Sequence, residues 1–140
     1  MKAKPPPSTP LPNTHTRNFW EGVGNGQPII QRYTTCGYFQ TAPGSICLAR
    51  LSFDLAGATA SGEGNIHSFC TSIQTFHPHF AHEPSFVLAV AEVDEQSKSK
   101  MITNIIDVNP DTFRVGDLVE LMFIPLSDDF MPPVFHLAPK

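Results

Sequence analysis

Ser85-Phe-Val-Leu-Ala-Val-Ala-Glu-Val93, Asp94-Glu-Gln-Ser-Lys-Ser99 and Lys100-Met-Ile-Thr-Asn-Ile-Ile106 follow one another and read as a β-hairpin. Two apolar runs rich in β-branched residues flank a polar loop, the pattern of paired strands with an exposed connection. On the N-terminal side, Asn65 to Phe76 alternates Ile66, Ser68, Cys70, Ser72 and Gln74 against His67, Phe69, Thr71, Ile73 and Thr75. The alternation is imperfect, as in a long coiled strand whose faces exchange roles. Gly62 and Gly64 precede it and mark tight curvature or a bulge. On the C-terminal side, Asn109-Pro-Asp-Thr-Phe reads as one turn of helix with Pro110 near its start. Arg114-Val-Gly-Asp117 then turns into the strand Leu118-Val-Glu-Leu-Met-Phe-Ile124, and Val134-Phe-His136 is a last short strand.

Some five strands, one short helical insertion and glycines at sharp bends predict a mainly β fold. The count suits a five-stranded Greek-key barrel of the OB type over residues 53–140. Closure removes exposed sheet edges, which a small β domain must protect. Fourteen prolines and nine glycines in 140 residues argue against long helices.

Upstream of the barrel, residues 1–15 read as a disordered Pro-rich tail, and 16–27 as a short helical segment ending at Gly22 or Gly24. Residues 28–52 hold two turns shaped like metal knuckles, Tyr33-Thr-Thr-Cys36-Gly37 and Cys47-Leu-Ala-Arg50. A structural zinc site wants two C-x₂-C pairs. Here Tyr33 and Arg50 take the outer places; tyrosine is a poor zinc ligand and arginine offers no lone pair. The expectation is a degenerate zinc ribbon that binds no zinc and leans on the larger domain or on a partner, because a ribbon without its ion buries little surface.

A chain 41% hydrophobic and 16% charged is neither disordered nor fibrous. From Leu51 to Pro139 there are twelve acidic residues and three basic ones, Lys98, Lys100 and Arg114. That field repels a phosphate backbone and argues against nucleic-acid binding. No apolar run is long enough to cross a bilayer. Three cysteines and no secretory leader predict a reducing, cytoplasmic location. Cys70, in an apolar run, is expected to be a packed thiol.

Candidate chemistry is sparse. His77-Pro-His79-Phe-Ala-His82-Glu83 could form a metal site or an acid–base pair, but its spacing is not H-E-x-x-H and its prolines place it in a loop. Cys36 and Cys47 have no activating histidine nearby in sequence. Asp54, Glu63, Asp107 and Asp117 are ordinary surface carboxylates. Gly22-Val-Gly24-Asn-Gly26 lacks the lysine of a phosphate loop. No residue is therefore assigned a catalytic role. Candidates for a protein interface are Phe19, Trp20, Phe76, Phe80, Phe130 and Met131, large apolar side chains able to form one patch. Core packing competes for Phe19 and Trp20, and plugging a barrel end competes for Phe130.

The order Phe19-Trp20-Glu21-Gly22, the knuckles at 33–36 and 47–50, Gly62-Glu-Gly-Asn-Ile-His-Ser-Phe69, Val87-Leu-Ala-Val-Ala-Glu-Val-Asp94, Met101-Ile-Thr-Asn104, Phe113-Arg-Val-Gly-Asp-Leu-Val-Glu120 and Leu126-Ser-Asp-Asp-Phe-Met-Pro-Pro-Val-Phe135 resembles the DUF35 family. The resemblance runs from about Phe19 to Pro139. It implies a rubredoxin-like zinc ribbon followed by an OB-fold, with ligand positions 33, 36, 47 and 50, of which this chain keeps the inner two. It also implies a non-catalytic partner of thiolase-like acyl-CoA enzymes: HMG-CoA synthase-like, acyltransferase, or steroid aldolase or hydratase. Acyl-CoA then enters as a ligand of the assembly. The alternatives are a stand-alone acyl-CoA or lipid-binding protein and a metal-assisted enzyme using His77, His79 and His82. A homodimer is compatible with the residue pattern, which fixes no contact for it.

Overall fold

A computed structural model describes residues 6–41, 44–73, 77–82, 85–109, 111–128 and 130–139. One helix, α1 (Arg17–Gly24), is followed by β1 (Ile29–Tyr33), β2 (Phe39–Gln40), β3 (Leu55–Thr59) and β4 (Glu63–Ser72). After a single 3-10 turn at Pro78–Phe80 come β5 (Phe86–Val93), β6 (Lys100–Ile105), β7 (Leu118–Phe123) and β8 (Pro133–Leu137). Strands β4-β5-β6-β8-β7 close into a barrel, antiparallel except for the β6–β8 pair. Five antiparallel-dominated strands in this order form the OB-fold barrel expected from the strand count.

The hairpin carries the barrel. Along β5, Val87, Ala89, Ala91 and Val93 are buried while Phe86 and Leu88 face outward, the period-2 signature of a strand with one wet face. Two alanines in the middle leave room for larger neighbours, and Ile66, Ile105, Phe113, Val119 and Phe135 fill it. Strand β4 explains the broken alternation of its sequence. Its register against β5 shifts between Ile66 and Ser68, so His67 is an extra residue. Inward positions before the bulge are Gly64 and Ile66; after it, Phe69 turns toward the core and meets the Phe113 ring at 4.4 Å. The same parity change places Cys70 on the outer surface, and the packed-thiol expectation is corrected accordingly. Gly64 is required here, since a Cβ would stand 2.4 Å from the Glu92 carbonyl oxygen.

Two boundaries differ from the sequence reading. β3 pairs over its full length with β1, in a separate three-stranded sheet of order β2-β1-β3. The segment preceding the barrel thus runs to Thr59 and not to 52. Leu-Ala-Gly-Ala-Thr has too weak a pattern to declare its sheet. The 109–113 segment is a turn among its described residues, closed by Asp111 N–H on Asn109 Oδ1 (3.0 Å) and Thr112 N–H on the Asn109 carbonyl (2.9 Å). An asparagine side chain that bonds its own backbone two residues on favours such a turn over a helix. Thr41 joins the two sheets: its N–H donates to Ser99 Oγ (3.1 Å) and its hydroxyl to the Lys100 carbonyl.

Candidate functional site: the two turns and the helix–barrel cleft

Both knuckle turns are formed. Gly37 lies at φ 71° and its N–H reaches the Tyr33 carbonyl at 2.7 Å; Leu51 lies at φ 57° and its N–H reaches the Cys47 carbonyl at 2.9 Å. Glycine takes the left-handed region freely, whereas leucine does so against its Cβ. The second turn therefore keeps its shape with an unsuited residue. Between the turns, Cys36 Sγ and Cys47 Sγ are 3.5 Å apart, and Ser52 Oγ is 3.4 Å from Cys36 Sγ. Hydrogen bonds from the Ser52 hydroxyl and the Tyr38 amide lower the Cys36 thiol below its ordinary range.

Tyr33 is fully buried. Its hydroxyl donates to the Gly44 carbonyl at 2.9 Å, while Gly44 N–H donates to Gln31 Oε1 at 2.9 Å. Burial first, then the two nearby thiols, push its phenol upward. Leu48 N–H donates to the buried Gln40 side chain at 3.3 Å. Asp54, which sequence reading treats as an ordinary carboxylate, accepts from the Thr34 and Thr35 hydroxyls and the Thr35 amide, clamping the first turn to the chain entering β3. Those donors, Thr34 foremost, hold its carboxyl at about 2. Arg50 is exposed. Two thiols with Tyr33 and Arg50 do not fit a tetrahedral zinc site, and no group of three or more metal-ligating side chains occurs among the described residues.

The predicted interface aromatics do not form one open patch. Phe19 and Trp20 meet edge to face at 4.8 Å, and Trp20 lies 5.9 Å from Phe130; all three are half-buried. Phe130 thus packs on α1, and the rings buried in the barrel core are Phe113 and Phe135. Phe80 sits among His79 (4.7 Å) and His77 (5.9 Å), Met131 is exposed, and Phe76 lies outside the described residues. His77 and His79 rings are 6.5 Å apart. His77 Nδ1 accepts from the His79 amide at 3.1 Å and its Nε2 meets Ser8 Oγ at 3.1 Å, so both ring nitrogens are engaged. His82 is exposed, and Glu83 lies outside the described residues.

Trp20, Phe19, Met101, Ile102, Thr103 and Pro132 line most of a cleft of about 460 Å³ between α1 and the barrel. That volume lies within the range of small-molecule sites. Its threonine hydroxyls spend their protons internally: Thr16 on Asn13 Oδ1, Thr103 on the Pro133 carbonyl, and Thr41 on the Lys100 carbonyl. The wall that remains is apolar, with Lys100 as the one charged residue among its described lining residues. A second feature escaped sequence reading. Leu48, Leu51 and Phe53 are each more than 70% exposed, and Ile46 joins them. Four large apolar side chains on one eight-residue segment look in sequence like core, yet here they project from the second turn.

A closed five-stranded barrel of this topology, preceded by a three-stranded sheet with paired turns, is an OB-fold. Residues 58–123 match the family described as ChsH2, C-terminal OB-fold domain. The chain is similar over 94% of its length, at 27% identity and a TM-score of 0.82, to the whole of a chain solved as "Ltp2-ChsH2(DUF35) aldolase". A DUF35 protein of unknown function from Sulfolobus solfataricus shares the fold, with a TM-score of 0.60 at 10% identity over 87% of this chain and 84% of that one. Among curated proteins, a probable enoyl-CoA hydratase alpha subunit from Thermomonospora curvata is 30% identical over 137 residues, 96% of this chain and 42% of the relative. A DUF35 domain-containing scaffold protein from Methanothermobacter thermautotrophicus is 35% identical over 63 residues, 45% of each. The chain spans less than half the length of these curated relatives. Among the described residues, no helix is long and apolar enough to cross a membrane.

Proposed function

We propose that this chain is an accessory module without chemistry of its own that docks on a thiolase-like acyl-CoA enzyme. The observation that carries the reading is its likeness, over 94% of its length, to the chain solved as "Ltp2-ChsH2(DUF35) aldolase". The exposed Ile46, Leu48, Leu51 and Phe53 supply a surface of the kind that a partner covers. Arg50, exposed on the same segment, adds a positive charge to that surface, which suits an apolar partner face with an acidic group beside it. The test is co-expression with a thiolase-type or hydratase subunit encoded beside this gene. Recovery of one stoichiometric complex supports the reading; both proteins eluting separately at micromolar concentration contradicts it.

The cleft favours a second reading, that the module itself holds the apolar chain of an acyl-CoA. Trp20 is the chain's single tryptophan and lines that cleft, so its fluorescence reports occupancy. A saturable emission change with a medium-chain acyl-CoA, absent with CoA alone, supports it. No response, or an equal response to CoA, speaks against it.

A further inference from the structure

The thiols that remain between the two turns are arranged for a reaction with each other. Cys36 Sγ and Cys47 Sγ stand 3.5 Å apart, with no third metal-ligating side chain gathered beside them among the described residues. Both backbones are pinned: Gly37 N–H to the Tyr33 carbonyl, Cys47 N–H to the Ser52 carbonyl (2.8 Å), and Leu51 N–H to the Cys47 carbonyl. Closing to an S–S bond of about 2.05 Å asks for roughly 1.5 Å of travel shared by two side chains. Exposure divides the roles, since Cys36 is half-buried and Cys47 is fully enclosed. Cys70 lies apart on the outer face of β4.

We propose that Cys36 and Cys47 form an oxidant-closed pair, in which a peroxide converts them to an intramolecular disulfide where the ribbon has lost its ion. The Cys36 thiolate attacks a peroxide oxygen, the O–O bond breaks to leave a sulfenic acid, and the departing hydroxide takes up the proton that the Cys36 thiol released, giving the first water. Cys47 sulfur then attacks the Cys36 sulfur, the S–O bond breaks, and the Cys47 proton leaves with that hydroxyl as the second water. Two thiols lose two electrons and one hydrogen peroxide becomes two waters. The cross-link joins the turns across eleven positions and holds Leu48 and Leu51 in place by covalent means. The inference stands on the thiol geometry and is independent of what the module docks to.

The reduced full chain is treated with stoichiometric hydrogen peroxide, alkylated with iodoacetamide and mapped by mass spectrometry. The expected product has lost two hydrogens, carries one alkyl group at Cys70, and yields a 36–47 cross-linked peptide that dithiothreitol releases. Proteolysis within 28–59 slows severalfold on oxidation and recovers on reduction. Cys70→Ser still closes, while Cys36→Ser and Cys47→Ser each keep two alkylatable thiols. The wild-type map decides alone if a serine variant fails to fold. Three alkylated cysteines after peroxide, sulfinic acid at Cys36 beside a free Cys47, or a cross-link between chains through Cys70 would overturn the proposal.

Discussion

Tyr33 and Asp54 do at the residue scale what an ion does elsewhere: they fix the first turn. Tyr33 fills the interior of the sheet and ties itself to the Gly44 carbonyl. Tyr33→Phe keeps the ring and loses that bond, so it should destabilise by about 1 kcal/mol in urea melts. Tyr33→Ala also opens a cavity and should cost about 3–5 kcal/mol, by analogy with other buried aromatics. Asp54 gives the account a pH dependence. Its folded carboxyl titrates at about 2 against an ordinary 3.8, so the unfolded chain takes up the proton first as pH falls. The contribution is complete above about pH 4 and disappears as pH drops through 2. Thermal melts between pH 5 and pH 2 should show a wild-type decline that Asp54→Asn flattens; parallel curves would deny the clamp. Neither role was legible beforehand. Tyr33 reads as a lost ligand and Asp54 as a surface acid until the fold sets the threonines of one turn against it.

Elements were legible where their pattern repeats and obscure where one residue breaks it. β5, β6, β7 and β8 lie where the runs of apolar residues place them, because a strand with one buried face writes a period of two. A single extra residue at His67 reverses that parity, and nothing in Asn65 to Phe76 says which residue is extra. β3 has no reading of its own in the sequence, because a strand's partner is a tertiary fact. The turns allow a direct test of their inheritance. A tetrahedron with Zn–S near 2.3 Å has an edge of about 3.8 Å, close to the 3.5 Å between Cys36 and Cys47. Tyr33→Cys combined with Arg50→Cys should bind one zinc or cobalt ion per chain, read by cobalt thiolate absorption, with neither single change sufficient. Absence of metal in the double variant would mean that position 50 does not face the sulfurs. Leu51→Gly should stabilise the second turn or leave it neutral, within about 1 kcal/mol, because relief of the left-handed strain is offset by backbone entropy.

For the whole molecule, the sequence marked aromatic residues as sticky without showing which of them the fold would use internally. Trp20 packs on Phe19 and on Phe130, and Phe19 and Trp20 wall the cleft, while Leu48, Leu51 and Phe53 of the second turn stay in water. Exposure of Leu48, Leu51 and Phe53 is a cost that a free monomer carries and a complex removes. Leu48→Asp and Phe53→Asp are surface changes, expected to shift folding stability by no more than about 0.5 kcal/mol. They should instead weaken capture of the catalytic subunit by tenfold or more, on the scale of losing a central apolar anchor. The decisive measurement is light scattering on the co-expressed pair after size exclusion. The docking account predicts one defined complex with the wild-type chain, and separate subunits with the Leu48→Asp, Phe53→Asp chain, itself still folded. A complex that forms equally well with both chains would contradict it.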